Sequence, residues 1–339
     1  MQTAKRIMLI GKSNVKDYVG ARTQYLFNAL TEAGLNVLVY DIDSSEDIPP
    51  NLSASIFLNW LQLFDEGWAR FLKPISGRKI LYTENWYWYD EQRAKFLRDE
   101  NVDLEEAFHA VTFSTNENNR WWPRGRCDFW GVCVDEDMAF PKKPGDYIYV
   151  DEVWPKEWSE GIYTAREVLD QAIPIIKDKH GVKVVSQASK DGSEGGPASP
   201  RAEWIDEWID PYSELNDMLG VLGGARVYIT SHEETLGLMQ FEAMMCGVPV
   251  VTSKTFSKNE VYEGGEGLSV FSWEWDRKKD EEGGEEIVKN VSEASKKLVA
   301  AFERSQAEGV NREEIRKQAV ARFGKKAFVT RTNLTSLLS

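Results

Sequence analysis

Two glutamates eight residues apart are the most specific chemical signal in the sequence. Glu234 stands just before a predicted helix, and Glu242 lies two turns into it, within the segment ETLGLMQFEAMMCGVPVV. Carboxylates at both positions can accept hydrogen bonds from sugar hydroxyls. Between them, Gly237 lets backbone N–H groups open toward a ligand at the helix N-terminus, where anions are favoured. The segment therefore combines carboxylate acceptors for hydroxyl groups with a helix N-terminus that favours anions.

Three other motifs are incomplete, which argues against three familiar chemistries. Gly11-Lys12-Ser13 follows an apolar run, but a phosphate-binding P-loop needs Gly at position 6, where this chain has Arg6. The same turn lacks the G-x-G-x-x-G fingerprint of dinucleotide enzymes. His232-Glu-Glu-Thr-Leu236 begins like a zinc-protease helix but lacks the second histidine.

Strand-length apolar runs and helical stretches alternate along the whole chain. In the first half we predict a helix with Tyr25, Leu26, Ala29 and Leu30 on one face, and strands at Arg6–Ile10, Leu35–Tyr40, Ala54–Leu58, Lys79–Thr83, Ala110–Ser114 and Phe129–Val134. After a short Pro- and Lys-containing segment, Phe140–Gly145, the alternation restarts. There we predict strands at Tyr147–Val150, Val182–Ser186, Arg226–Thr230 and Val248–Thr252, and helices near Glu160–Lys179 and at Pro211–Leu222, Leu238–Met245, Val288–Phe302 and Arg312–Leu338. This order predicts an α/β fold of parallel sheets covered by helices, with Asp276–Glu286 as a solvated acidic loop.

The E-x7-E spacing followed by A-x-x-x-G-x-P-V-V resembles the nucleotide-sugar site of retaining GT-B glycosyltransferases of the GT4 type. The resemblance implies two Rossmann-like domains whose parallel sheets face across a cleft, with a boundary near Pro141–Gly145. Residues 1–140 would form the acceptor-side domain, 146–310 the nucleotide-sugar domain, and 311–339 a C-terminal helix packed back on the first domain.

The same resemblance implies roles for individual residues. Glu234 would face the donor sugar, Glu242 would bind the ribose, and the amides of Leu236, Gly237 and Leu238 would lie near sugar and diphosphate. The alternative is that Glu234 is only a helix cap and Glu242 only a surface charge. Because GT-B enzymes generally neutralise the diphosphate with helix termini and side-chain cations, we expect no metal and no other cofactor, despite the D-x-D pairs Asp41/Asp43 and Asp135/Asp137.

The chain departs from the family pattern at two places. Asp151-Glu152 stand where a Gly-Arg pair is usual, which leaves Lys156 as the expected cation for the diphosphate and opens the question of whether Glu152 impairs catalysis. A histidine that is usual near the reacting centre is replaced by the stretch containing Glu84 and Asn85. Either of these two takes its role or is a structural polar group at a strand end.

Residues on the acceptor side are indicated by weaker matches. The segment Val19–Arg22, placed before the first helix, resembles a Gly-rich acceptor loop and points to Gly20 and Arg22. Trp86 and Trp88 would stack on an acceptor sugar or base, or would pack beneath the interdomain surface.

Composition limits the partners that we expect. The 339 residues carry a formal net charge of −14, which disfavours an extended nucleic-acid surface without excluding a local basic groove. No apolar stretch approaches the roughly 20 residues of a membrane span, and the N-terminus does not read as a signal peptide. Three cysteines without metal-ligand spacing fit a reduced cytoplasm.

These observations predict a retaining glycosyltransferase that moves a sugar from a UDP- or GDP-linked donor to a glycan or small-molecule hydroxyl. One alternative is a DNA glycosyltransferase acting on hydroxymethylated pyrimidines, like the phage DNA α-glucosyltransferases. The other is a non-catalytic nucleotide-sugar-binding protein on a degenerate GT-B scaffold, suggested by Glu152.

Overall fold

The chain folds into two compact units, Met1–Glu136 with Val320–Ser339 (unit 1) and Asp137–Ala319 (unit 2). The structure is a computed structural model. It describes residues 6–11, 18–41, 44, 48–49, 52–58, 75, 77–83, 98, 108, 110–113, 127–151, 166–187, 202–209, 214–230, 238–253, 270–273, 277–279, 286–307 and 310–332.

Unit 1 contains a six-stranded parallel sheet with the strand order β2-β1-β3-β4-β5-β6. Its strands are β1 (Arg6–Gly11), β2 (Asn36–Asp41), β3 (Ala54–Leu58), β4 (Arg78–Thr83), β5 (Ala110–Phe113) and β6 (Cys127–Phe129). In β1, all residues from Ile7 onward are buried, as expected of a central strand covered on both faces.

Helix α1 (Tyr18–Glu32) connects β1 to β2. Its apolar face of Tyr25, Leu26, Ala29 and Leu30 is buried, as the spacing predicts. The turn after the helix contains Gly34, whose φ of +81° favours glycine.

Unit 2 contains a second six-stranded parallel sheet with the order β12-β11-β10-β7-β8-β9. Counted from its own first strand, this is the 3-2-1-4-5-6 order of a Rossmann sheet. The strands are β7 (Tyr147–Val150), β8 (Lys183–Gln187), β9 (Glu207–Ile209), β10 (Tyr228–Ile229), β11 (Val250–Ser253) and β12 (Val270–Trp273). The helices are α2 (Arg166–His180), α3 (Leu215–Gly224), α4 (Leu238–Met245), α5 (Val291–Ser305) and α6 (Arg312–Phe323).

The core of unit 2 forms where α2 and α5 cover the sheet. Val168, Leu169 and Ile173 of α2 meet Leu298 and Phe302 of α5 in one buried cluster that also includes the central strands. This layer supports β7 and β10, whose carboxyl ends form the candidate site.

From Val320 onward the chain belongs to unit 1, so the division between the units falls within α6. A final helix, α7 (Lys325–Thr332), packs against α1. The sequence predicted one run, Arg312–Leu338, but the run is broken at Gly324, where Glu136 Oε2 accepts a hydrogen bond from the Lys325 N–H.

Two other predicted elements differ from the structure. The strand predicted at Phe129–Val134 is instead the short β6, because Gly131 has a φ of +67° and the Val134 N–H donates to the carbonyl of Phe323 rather than to a strand. The acidic segment predicted as a loop contains an antiparallel pair, β13 (Arg277–Lys279) and β14 (Glu286–Val288).

Candidate functional site

The strand order of the second sheet reverses between β7 and β10. β7 lies at the centre, pairs with β8 on one side and with β10 on the other, and the chain extends outward in both directions from there. Ligands of open α/β sheets bind outside the carboxyl ends of the strands at such a reversal. We call the carboxyl ends of β7 and β10, with Asp151 and Thr230 that follow them, the switch edge.

Asp151 connects three strands at the switch edge. Its N–H donates to the carbonyl of Ile229 at 2.9 Å, and its own carbonyl accepts from Ser186 Oγ at 3.1 Å. Its carboxylate Oδ2 accepts a 2.7 Å hydrogen bond from the hydroxyl of Tyr228, and the residue is only 6% exposed. A buried carboxylate is therefore fixed in place where the strand order reverses.

Two tyrosines support this carboxylate. Tyr149 and Tyr228 are register partners in β7 and β10, and their rings stack with centroids 5.9 Å apart. The Tyr149 hydroxyl lies 3.1 Å from Gln187 Oε1, to which it donates. The switch edge is also polar on the side of β11, where Thr230 Oγ1 donates to Thr252 Oγ1 at 3.1 Å.

Helix α4 connects β10 to β11 and therefore starts on the carboxyl side of the sheet. Its residues from Leu238 to Met245 match the helix predicted from the sequence. Glu242 is 2% exposed and Gln240 is 1% exposed, so two polar side chains of this short helix are buried. The alternative that Glu242 is only a surface charge is wrong.

The C-terminus of α4 is held by a tight turn. The Val248 N–H donates to the carbonyl of Ala243 and the Gly247 N–H to that of Met244, which is the Schellman arrangement. Gly247 has a φ of +73°, and a Cβ there would lie 2.5 Å from the carbonyl oxygen of Arg312. Only glycine fits this position without displacement of α6.

Arginines of α6 secure the C-terminal ends of both α3 and α4. Arg312 donates to the carbonyls of Gly223 and Ala225 at 2.6 and 2.9 Å, and Arg316 donates to the carbonyls of Ala139 and Met245. Helix ends favour such cations because their last carbonyls have no partner within the helix. The C-terminus of α4 is thus fixed to α6.

Cys246, beside this turn, is a buried thiol. Burial, followed by the nearby negative charge of Glu242, raises its pKa to about 12. Burial likewise raises the pKa of Cys133 in unit 1. Both thiols are therefore protonated at neutral pH and are poor nucleophiles.

In unit 1 the corresponding reversal lies at β1, which pairs with both β2 and β3. α1 follows this strand, and it contains Gly20 and Arg22. The prediction that these two residues precede the first helix is wrong, because α1 begins at Tyr18. Arg22 is 4% exposed, and its guanidinium lies over the ring of Tyr82, 4.6 Å from the centroid.

Tyr82 belongs to an aromatic cluster within unit 1. Its ring centroid lies 5.4 Å from that of Trp130 and 6.4 Å from that of Phe328, and its hydroxyl donates to the carbonyl of Gly131. The guanidinium of Arg22 thus lies against a ring that is itself packed within this cluster.

The D-x-D pair at Asp135 has a structural role at its first residue. One oxygen of Asp135 accepts from Asn28 at 2.6 Å, and the other pairs with Lys325 at 2.9 Å. Within the described ranges no group of three or more His, Cys, Asp or Glu side chains is arranged to hold a metal ion. Among those same residues, none of the helices is both long and apolar enough to cross a membrane.

Four of the predicted site residues are described: Glu242 and Leu238 on α4, and Gly20 and Arg22 on α1. The structure places the first two in unit 2 and the other two in unit 1. The remaining predicted residues lie outside the described part of the chain, namely Glu84, Asn85, Trp86, Trp88, Lys156, Glu234, Leu236 and Gly237.

Sequence reasoning recognised Asp151 only as a departure from a family pattern and missed its bond to Tyr228. The two residues are 77 positions apart, and each is an ordinary residue at a strand end. Only the pairing of β7 with β10 brings them together.

Comparison with known proteins shows similarity in structure but not in sequence. No family model matches the chain, and no curated protein matches it in sequence. Sucrose-phosphate synthase from Thermosynechococcus elongatus has a similar structure, with a TM-score of 0.66, 13% identity and coverage of 98% of both chains.

Two further solved structures of similar fold are of different kinds of protein. A UDP-N-acetylglucosamine 2-epimerase from Listeria monocytogenes, itself described as putative, gives a TM-score of 0.57 at 12% identity, covering 98% of this chain and 95% of the other. An alpha-glucosyltransferase in complex with UDP and a 13-mer DNA containing a HMU base gives 0.54 at 12%, covering 99% and 100%. The chain has the fold of GT-B glycosyltransferases, as predicted, and at these identities the similarity shows the fold alone.

Proposed function

We propose that this protein is a retaining glycosyltransferase that takes its sugar from a nucleoside-diphosphate donor, UDP- or GDP-linked, and transfers it to a hydroxyl acceptor. The observation that carries the proposal is the place of Glu242 on α4, the helix that follows β10 at the switch edge. Ribose hydroxyls are suitable hydrogen-bond donors to a carboxylate at this position. The Glu234-x7-Glu242 spacing and the fold support the same assignment.

In this proposal the residues divide the work by position. Glu242 accepts the ribose hydroxyls, and the amides of Leu236, Gly237 and Leu238 at the start of α4 face the diphosphate. Glu234 orients the transferred sugar, and Lys156 supplies a cation for the leaving diphosphate. Rate acceleration then comes from orientation and from stabilisation of the departing charge, which needs no metal.

The acceptor side is assigned to unit 1. Arg22, held over Tyr82, lies in the helix that follows the strand reversal of that unit. Gly20, Trp86 and Trp88 complete the proposed acceptor residues, and Glu84 or Asn85 would act near the reacting centre. A glycan or small-molecule hydroxyl is the first acceptor class to test.

The decisive experiment incubates the purified chain with a panel of nucleotide sugars and measures release of the nucleoside diphosphate and the stereochemistry of the product. Release with retention at the anomeric carbon supports the proposal. Conversion of the donor to a second nucleotide sugar, without release, would instead indicate an isomerase such as an epimerase. Binding without either reaction would favour the non-catalytic alternative.

Two variants separate the proposed roles. Glu234→Ala should leave affinity for the free nucleoside diphosphate nearly intact and lower turnover by about a hundredfold, because the sugar is misplaced. Lys156→Ala should weaken the free nucleoside diphosphate itself. Loss of nucleotide binding in Glu234→Ala with an unaffected Lys156→Ala would overturn the mapping of the site.

DNA is the second acceptor class, and the distribution of charge favours testing it. Unit 1 carries 19 Lys and Arg against 20 Asp and Glu, a formal net charge of −1, whereas unit 2 carries 22 against 35, a charge of −13. The overall charge of −14 therefore resides almost entirely on the proposed donor unit. The similar fold of a DNA-bound alpha-glucosyltransferase supports the same test.

A gel-shift titration with duplex DNA at moderate salt distinguishes the two acceptor classes. Binding that weakens steeply with salt, together with sugar transfer to hydroxymethylated pyrimidines in the duplex, would favour DNA. Transfer to glycans or small molecules with no DNA binding would favour the first class.

A further inference from the structure

We infer that Asp151 determines how strongly the donor site discriminates between the nucleotide sugar and the free nucleoside diphosphate, so that its carboxylate promotes release of the product. This inference rests on the proposed function, because it requires a diphosphate at the switch edge. It concerns a residue to which neither the sequence pattern nor the fold assigns a role.

The position of Asp151 is the first step. Ligands of an open α/β sheet bind outside the carboxyl ends of the strands where the strand order reverses, and in unit 2 those strands are β7 and β10. The residue directly after β7 is Asp151, and its main chain is fixed to Ile229 and Ser186. A diphosphate bound at the switch edge would therefore lie close to a carboxylate.

The orientation of Asp151 is the second step. Its side chain is hydrogen-bonded at 2.7 Å to Tyr228, whose ring is stacked on Tyr149. This bond fixes the direction of the carboxylate. At 6% exposure, water screens this charge only weakly. The negative charge cannot swing out of the site without breaking the bond to Tyr228.

The charges of the two ligands supply the third step. The terminal phosphate of a nucleoside diphosphate loses its second proton near pH 6, as other phosphate monoesters do. In the nucleotide sugar that phosphate is esterified, so the free diphosphate carries about one more negative charge at pH 8. A fixed carboxylate repels both ligands but repels the product more, which favours its departure after transfer.

The test compares affinities for one nucleoside diphosphate and its sugar ester at pH 8, by calorimetry, in the full chain and in Asp151→Asn. Asparagine keeps the shape and an oxygen acceptor for Tyr228 while it removes the charge. We expect the nucleoside diphosphate to gain about tenfold more affinity than the nucleotide sugar, on the scale of one charge pair in a partly buried site. Product inhibition of turnover should tighten in parallel.

Asp206→Asn is the matched control. Asp206 immediately precedes β9 and accepts from the Val184 N–H near the start of β8. It therefore lies at the amino ends of these strands, away from the switch edge. It changes the net charge by the same amount, and it should leave the affinity ratio unchanged. Asp151→Ser, which also removes the charge, gives a second measurement if Asp151→Asn fails to fold.

The outcomes distinguish this inference from the proposed function. Equal changes for the two ligands in both Asp151 variants, or a ratio that moves toward the nucleotide sugar, would overturn the role of Asp151. Release of the nucleoside diphosphate with transfer of the sugar by the unmodified chain would still support the proposed function. Absence of binding to any nucleotide or nucleotide sugar in the unmodified chain would overturn both.

Discussion

The carbonyl oxygen of Arg312 would lie 2.5 Å from a Cβ placed on Gly247. This contact fixes the turn that ends α4, the helix that carries Glu242, against the start of α6. Real Cβ atoms do not approach a backbone oxygen so closely, and the φ of +73° at Gly247 is itself unfavourable for other residues. The helix that carries Glu242, the residue proposed to bind the ribose, is therefore held by a turn in which only glycine fits against the Arg312 carbonyl.

Gly247→Ala should lower the free energy of unfolding by about 3 kcal/mol, because strain at positive φ adds to a steric clash. Gly181→Ala is the matched control, since Gly181 ends α2 with a φ of +60° and has no atom within 4 Å of its would-be Cβ. It should cost about 1 kcal/mol. Urea unfolding measures both, and equal losses would contradict the importance of the Arg312 contact.

Lys325→Met should destabilise unit 1 by about 3 kcal/mol or more, because it leaves the carboxylate of Asp135 buried without its cation. The two side chains are 6% and 2% exposed. The control Lys297→Met removes an exposed helical pair with Glu293 and should change stability by less than about 0.5 kcal/mol.

The double variant Lys325→Met with Asp135→Asn provides a further check on the same pair. It should recover part of the loss, since the unpaired charge is then gone. A single-variant loss no larger than that of Lys297→Met, by urea unfolding, would show that the pair contributes little.

The thiols of Cys133 and Cys246 should resist a thiol reagent at pH 8 in the native protein and react fully in denaturant. A Cys127→Ser background leaves only these two thiols. Since the pKa of Cys246 is raised to about 12 in the folded state, the stabilisation from its neutral form is full below pH 9.0 and is lost as the pH rises toward 12. Rapid native labelling at pH 8 would contradict the burial of both groups.

Arg22→Met should raise the KM for the acceptor or lower kcat by about tenfold while affinity for the nucleoside diphosphate stays within about twofold, since a charged hydrogen bond contributes on this scale. Arg78→Met is the control, because Arg78 is an exposed residue at the amino end of β4, the strand whose other end carries Tyr82. A loss of nucleotide affinity in Arg22→Met would place Arg22 on the donor side instead.

Local patterns in the sequence predicted the elements that depend on local physics. α4 was predicted to the residue, because its apolar spacing and Gly247 mark both ends of the helix. The parallel sheets follow from the alternation of strands and helices. The strand predicted through Val134 failed because the apolar run from Trp130 is buried without being extended, with Gly131 in the left-handed region.

Contacts between residues that lie far apart in the chain could not be predicted from the sequence. The hydrogen bond from Tyr228 to Asp151 depends on β7 lying beside β10 rather than beside its neighbours in the chain. The unequal charges of the two units likewise need the division of the chain, which returns Val320–Ser339 to unit 1. The formal net charge of −14 for the whole chain does not show this difference between the units.

The proposed donor site can be tested at the contact between Glu242 and the ribose hydroxyls. Affinities are measured for the nucleoside diphosphate that binds best and for its 2′,3′-dideoxy analogue, in the unmodified chain and in Glu242→Ala. The unmodified chain should prefer the hydroxylated ligand by about tenfold to a hundredfold, as expected for hydrogen bonds to a charged group. In Glu242→Ala this preference should disappear, with the two ligands binding about equally. If a folded Glu242→Ala keeps the full preference, the carboxylate of Glu242 does not bind the ribose and the proposed donor site is wrong.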